Sequence, residues 1–284
     1  MKKILTRSIS GAIYVAIIVA SIYIGRWTDN RTLGELIFGI LFFIIGIIGT
    51  HEILKNLAIK GIYCSKPIAY IVGILTYIIW FLWEQPTMGE GQLWSFGLLT
   101  AFPALLLLVF LMQLWRTDEN PFANIGYTLL PSLWVMTPLA LTNHIHDTSV
   151  GLMMMIFILI WVNDTFAYLT GMLLGRHKMW ERHSPNKTWE GTIGGSLFCI
   201  ATAIIVGPLF IGGELNLSIF EWIIIGLICS AIGTLGDLVE SMFKRFCGVK
   251  DSGNIMPGHG GILDRFDSLL LAVPFVQAFL ICIF

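Results

Sequence analysis

The chain has 284 residues, 56% of them hydrophobic and only 12% charged, with a formal net charge of −1 and a mean hydropathy of +0.80. A soluble domain carries about 25% charged residues, so there is too little polar surface here to cover a water-soluble fold, and intrinsic disorder is excluded by the same numbers. The near-zero net charge argues against a nucleic-acid binder held by bulk electrostatics, and an all-α polytopic membrane protein is the natural expectation.

A helix needs roughly 20 apolar residues to cross a bilayer. Nine stretches qualify as predicted spans, in chain order Ser8–Gly25, Leu33–Leu54, Pro67–Trp83, Leu93–Trp115, Phe122–Asn143, Ser149–Leu174, Trp189–Ile211, Ile219–Val239 and Phe266–Phe284. Lys2, Lys3 and Arg7 precede the first stretch, as in a signal peptide. Its length, the lack of a following A-x-A-like site and the spans beyond it favour a retained helix. With the N-terminus in the cytoplasm and the C-terminus outside, 15 of the 17 basic residues fall inside and only Arg26 and Arg31 outside. That asymmetry obeys the positive-inside rule. The five cysteines show no C-x-x-C spacing and none falls in a predicted outside loop, which argues against disulfides and a structural zinc site.

Residues 1–150, about five spans, read as transmembrane scaffold with short loops. His51-Glu52, near the inner end of the second span, reads as an interfacial pair, and His144-x-His146 falls on a predicted outside loop where a metal site is disfavoured. Residues 151–284, about four spans, hold the two longest cytoplasmic loops, 175–188 and roughly 240–261, both polar, basic and rich in Gly, Pro and His. Asp164, Glu190, Asp237, Glu240, Asp264 and Asp267 lie within or beside the adjacent spans. Charge at membrane depth is expensive, so its default reading is functional.

In the eighth span and its extension, Asp237, Glu240, Ser241 and Lys244 follow i, i+3, i+4, i+7 spacing and share one helical face. Asp264 and Asp267 share a face in the first turn of the last helix, where the dipole favours negative charge. Clustered carboxylates in low dielectric repel. A hard cation such as Mg²⁺, which takes oxygen ligands from one or two carboxylates and substrate phosphates, resolves that repulsion. Lys244, Arg245 and Arg265 then supply positive charge for phosphate oxygens. Between the two sets runs Lys250-Asp251-Ser252-Gly253-Asn254-Ile255-Met256-Pro257-Gly258-His259-Gly260-Gly261. Its glycines suit close approach to phosphate, or simply a flexible connector; it is not a Walker A loop. Upstream, Lys187 suits a phosphate, Thr188 a helix cap and Trp189 an interfacial anchor. Asp164 reads as a site carboxylate or as the partner of an Arg or Lys, and the G-x-x-x-G pairs Gly171/Gly175 and Gly191/Gly195 predict close helix packing.

Ser241-x-x-Lys244-Arg245, Lys250-Asp251, Pro257-Gly258-His259-Gly260-Gly261 and Asp264-Arg265-x-Asp267 together resemble the signature of the phosphatidate cytidylyltransferase (CDP-diacylglycerol synthase) family. Asp164-x-x-Ala167-Tyr168 and Ser184-Pro185-x-Lys187-Thr188-Trp189-Glu190-Gly191 resemble it too, whereas the first half matches only in hydropathy. Family members often carry a second basic residue where Asn186 stands. The resemblance implies transfer of CMP from CTP to phosphatidic acid in phospholipid biosynthesis, at the cytoplasmic face of the cell (inner) membrane. It also implies Mg²⁺, with a second cation allowed, and a homodimer. By the same resemblance Asp237 and Asp264 are the expected metal ligands, and Asp267 and Glu240 carboxylates that orient them or hold a second cation. Lys244, Arg245 and Arg265 are the expected phosphate binders, with His259 positioning phosphate. Lys187, Lys250, Ser184, Thr188, Asp164, Gly260 and Gly261 are the expected substrate-binding residues. The alternative reading is a CTP-dependent polyprenol kinase-like enzyme. A CDP-alcohol phosphotransferase lacks support because D-x-x-D-G-x-x-A-R is absent, and a transporter lacks support because no mirrored halves are visible.

Overall fold

The computed structural model describes residues 2–83, 92–117, 119–211, 213–256 and 260–284, with side chains from Ile9 in the first helix and from Gly97 in the fourth. It is an all-α membrane protein. The helices are α1 (Lys2–Trp27), α2 (Arg31–Ile59), α3 (Lys66–Leu82), α4 (Gln92–Gln113), α5 (Pro121–Pro131), α6 (Thr137–Thr148), α7 (Val150–Leu174), α8 (Trp189–Ile211), α9 (Ile219–Leu227), α10 (Gly233–Cys247) and α11 (Leu263–Ile283). Five-residue π-turns, Ser132–Met136 and Ile228–Ile232, join α5 to α6 and α9 to α10 into continuous rods. Among the described residues, seven helical stretches are long and apolar enough to cross a membrane, and two shorter apolar helices, Lys66–Leu82 and Gly97–Gln113, coincide with the third and fourth expected spans.

Helix starts follow local chemistry. Asn30 accepts from the Leu33 N–H at 3.0 Å, Ser149 from the Leu152 N–H at 3.0 Å, and Ser218 and Glu221 form a capping box. The end of α10 is set by Gly248 at φ +74°, a left-handed cap that a side chain would strain, behind the basic last-turn residues Lys244 and Arg245.

Two departures from the expected element map occur. Residues 175–188 are not plain loop: Lys178–Trp180 (β1) pairs antiparallel with Ser184–Thr188 (β2), with Lys178 opposite Thr188 and Trp180 opposite Ser184. His144 and His146 lie on α6 rather than a loop, because the helix continues to Thr148. Their rings diverge: His144 Nε2 bonds the Trp80 carbonyl and His146 Nε2 the Ile22 carbonyl at 3.0 Å, so each is spent on the backbone of a different helix.

The main core draws on both 1–150 and 151–284. Phe42 of α2 meets Phe157 of α7 and Phe266 of α11 edge-on, at centroid distances of 6.4 and 6.1 Å. Glycine permits the two closest helix contacts near the polar residues. On α8, a Cβ at Gly191 would lie 2.7 Å from the Ala167 carbonyl oxygen and one at Gly195 2.8 Å from that of Asn163, so α7 and α8 pack backbone to backbone as the G-x-x-x-G spacing predicts. On α10, a Cβ at Gly236 would lie 2.5 Å from the Asp267 carbonyl oxygen. That contact sets α10 against α11 one residue before Asp237.

Candidate active site

Helices α7, α10 and α11 and the β1–β2 ribbon surround a cavity of about 710 Å³. Asp164, Lys187, Thr188, Asp237, Lys244, Arg245, Lys250, Asp264, Arg265 and Asp267 all line it. Ten of the sequence-expected site residues, drawn from four separate segments, therefore meet in one place.

Asp237 and Asp267 line its floor, and the buried Glu240 lies directly beneath them. Asp237, Glu240 and Asp267 each offer an oxygen within 4.8 Å of the others. Two follow from the i, i+3 spacing on α10, and the third is delivered by the close α10–α11 contact at Gly236. Lys187 reaches across from β2 to pair with Asp237 Oδ2 at 2.7 Å and donates to the Thr234 carbonyl at 3.2 Å. Glu240 is fully buried, ion-paired to Lys244, and has no other partner for its oxygens among the described residues. A buried carboxylate with one compensating charge is costly, so this floor is electrostatically unfinished.

Asp264 stands apart from that trio. Lys244 Nζ donates to its Oδ1 at 2.6 Å, while Ser252 N and Gly261 N donate to Oδ2, each at 2.8 Å. The oxygens that converge with Asp237 are those of Glu240 and Asp267, while the 252–261 backbone occupies Oδ2 of Asp264. A cation ligated by Asp264 would use Oδ1, the oxygen shared with Lys244. Lys244 bridges Glu240 and Asp264 and so joins the two acidic sets.

Other expected residues have different places. Thr188 Oγ1 accepts from the Gly191 N–H at 3.2 Å, the cap of α8 that the sequence suggests, while also lining the cavity. Ser184 sits at the far end of β2 opposite Trp180 and is not among the lining residues. Gly260 and Gly261 also do not line it. Gly260 takes φ +85°, and a Cβ there would stand 2.6 Å from Asp264 Oδ2, so it shapes the loop. Arg245 donates to the Val249 carbonyl at 3.3 Å and remains exposed at the rim. His259 lies outside the described residues. Glu190 accepts from the Arg176 and His177 N–H groups at 3.1 and 3.2 Å, closing the base of the ribbon away from the carboxylate trio.

Glu52 corrects the reading of His51-Glu52 as an interfacial pair. It is 2% exposed and accepts from the Ile262 and Leu263 N–H groups at 2.9 and 3.0 Å and from Ser252 Oγ at 2.9 Å. Those N–H groups are the orphan donors at the start of α11, so a carboxylate more than 200 residues upstream caps the helix that carries Asp264, Arg265 and Asp267. Asn56, one turn on, donates to the Ser252 carbonyl at 2.9 Å. A Cβ at Gly261 would stand 2.5 Å from Glu52 Oε2, which gives a steric reason for that glycine. The signal was present as Glu52 and Asn56 at i, i+4 on α2, but nothing local says what they face.

The model of the cytidylyltransferase family matches residues 5–283. The chain belongs to that family. It is 33% identical over 254 residues to the phosphatidate cytidylyltransferase of Staphylococcus epidermidis, an alignment covering 87% of this chain and 91% of the relative. It is 52% identical over 125 residues to the enzyme of that name from Staphylococcus haemolyticus, and 52% identical over 127 residues to that from Staphylococcus aureus, each covering 44% of this chain and 47% of the relative. Membership of a cytidylyltransferase family accords with a cavity lined by five basic side chains among carboxylates, since its substrates are polyanions.

Proposed function

We propose that this protein transfers the CMP unit of CTP to phosphatidic acid, releasing pyrophosphate and leaving CDP-diacylglycerol, at the cytoplasmic face of the inner membrane. The observation that carries this reading is the joining of Lys187, Lys244, Arg245, Lys250 and Arg265 with the acidic floor in one cavity of a membrane-embedded cytidylyltransferase-family chain. Relatives named phosphatidate cytidylyltransferase support the choice of acceptor.

A phosphate oxygen of phosphatidic acid attacks the α-phosphorus of CTP, and the bond from that phosphorus to the β-phosphate bridging oxygen breaks. Pyrophosphate carries away the electron pair. The nucleophile is already ionised near neutral pH, so no strong base is needed. The barrier is dominated by bringing two anions together, which positioned cations relieve. Arg265, exposed and lining the cavity with a forked guanidinium, suits a bidentate phosphate contact. Lys250 and Arg245 at the rim suit the nucleotide's outer phosphates, and Lys187 and Lys244 hold the acidic floor in place.

Mg²⁺ is the cation the family resemblance implies, and the residues fit it. The donors are all carboxylate oxygens, they converge within 4.8 Å, and Glu240 is buried with a single charge partner. Asp237, Asp267 and Glu240 would hold it, with Asp264 contributing through Oδ1 or serving a second cation. When bound, it would neutralise phosphate oxygens of the substrates. The cytoplasmic assignment rests on the basic residues. Lys60 lies over Phe246, at the same end as the cavity's loop, whereas Arg26 and Arg31 pair with Glu214 and Asp147 at the other. A homodimer follows from the resemblance alone, and cross-linking in membranes tests it.

An acceptor panel tests the chemistry. With CTP labelled at the α-phosphate, the purified protein should place label in lipid when given phosphatidic acid, and not when given diacylglycerol or a polyprenol. No label in lipid with phosphatidic acid, or label in lipid with diacylglycerol or a polyprenol, would refute the assignment.

A further inference from the structure

A second cavity, of about 550 Å³, lies beside the first and is almost wholly apolar. It is a groove between α1 and α2, floored by the start of α11 and the segment before it. Ile13, Ile17, Ile44, Ile48, Ile255 and Phe266 are among its walls, and Ile13 and Ile44 are exposed on the outer surface of the helix pair. Tyr14 lines both cavities. Its ring packs edge-on against Phe266 at 5.8 Å, and its hydroxyl is buried with no hydrogen-bond partner. Phe266 faces the groove while its neighbours Arg265 and Asp267 face the polar cavity. Apolar groove and charged cavity thus meet at one tyrosine, and a buried hydroxyl without a partner is a costly feature that a ligand acceptor would repair.

We infer that this groove seats an acyl chain of the phosphatidic acid substrate, and that the Tyr14 hydroxyl donates to the lipid's phosphate or ester oxygen where the headgroup enters the polar cavity. The inference rests on the proposed cytidylyl transfer and adds the path of the lipid to it. The meeting of the two cavities at Tyr14 favours the substrate over a bulk bilayer lipid, because a chain in the groove brings its headgroup beside the polar cavity that Arg265 lines. A hydroxyl at the boundary selects a lipid with an oxygen acceptor at that depth.

The test uses the full chain in bilayer nanodiscs with phosphatidic acid carrying a photoreactive diazirine in its acyl tail. Label should map to 9–18 and 41–48, and unlabelled phosphatidic acid should displace it. Equal labelling of those segments by a diazirine phosphatidylcholine, without displacement, would show ordinary bilayer contact and overturn the inference. In kinetics, Ile13→Trp should raise KM for dioleoyl phosphatidic acid about tenfold, as expected when overpacking closes a groove, and raise that for a dibutyryl analogue far less. Tyr14→Phe should raise KM for both lipids about tenfold, the cost of a hydrogen bond to a charged or polar acceptor, with KM for CTP unchanged. Equal effects on long and short chains in Ile13→Trp would refute the groove. Absence of CMP transfer from CTP to any lipid in the unmodified protein would instead refute the underlying reaction, and specific labelling would then still report the groove.

Discussion

Glu52 and Asp237 show how differently two carboxylates in one protein are used. Glu52 accepts three hydrogen bonds and holds the start of α11. Asp237 has one ion pair, with Lys187, and sits in a trio short of positive charge. Replacing Asp237 by Ala should therefore abolish CMP transfer while the purified protein keeps its thermal midpoint, because removing a repelling carboxylate does not unpack the helices. Near-normal turnover in that variant would sink the role of the acidic floor. Glu52→Ala should instead destabilise the protein, by about 1–3 kcal/mol for each N–H left unsatisfied, and lower activity with it. Thermal unfolding in detergent separates the two, and an unchanged midpoint for Glu52→Ala would contradict its capping role. The contrast also marks what the sequence could reveal. Asp237, Glu240 and Asp267 are legible because their spacing places them on helical faces. The work of Glu52 is invisible there, since its partners Ile262 and Leu263 are apolar residues acting through backbone N–H groups.

Among the elements, the α10–α11 pair decides the geometry. The hydropathy pattern finds both helices, and the G-x-x-x-G spacing finds the α7–α8 contact. It does not find Gly236, whose single close approach to Asp267 follows no repeat. The five-residue π-turn before α10 is equally silent in sequence, yet it turns the face that α10 presents. Nor does periodicity distinguish the β1–β2 ribbon from a loop, because strands of three and five residues are too short for alternation to register. Gly236→Ala should push α10 from α11, since the obstructing atoms are backbone and cannot swing aside. The expected cost is about 1–3 kcal/mol of overpacking, with a fall in turnover as Asp237 and Asp267 separate. Gly126→Ala, where a Cβ meets nothing within 4 Å, should leave both unchanged or gain slightly from helix propensity. Equal behaviour of the two variants in melting and turnover would show that the contact does not position the site.

At the scale of the whole molecule, scarcity of charge is what makes the site readable. With 12% charged residues, those that enter the helices stand out, and Asp164, Asp237, Lys244, Arg245, Asp264, Arg265 and Asp267 gather in one cavity. The basic residues at the other end, Arg26 and Arg31, are each matched by a carboxylate, Glu214 and Asp147. The two ends differ in balance as well as number, which predicts a definite sidedness. In a Cys282→Ser background, a membrane-impermeant maleimide applied to intact cells should label Arg31→Cys and spare Lys250→Cys until the cells are opened. The reverse pattern would invert the topology and put the cavity on the wrong side for CTP.

The central claim is CMP transfer, and the fate of the two ends of CTP tests it most directly. The purified protein, phosphatidic acid and Mg²⁺ would be given CTP labelled in parallel reactions at the α- or the γ-phosphate. The account predicts α-label in CDP-diacylglycerol and γ-label in pyrophosphate, in equal molar amounts. Appearance of γ-label in lipid, or of pyrophosphate without α-label in lipid, would contradict it.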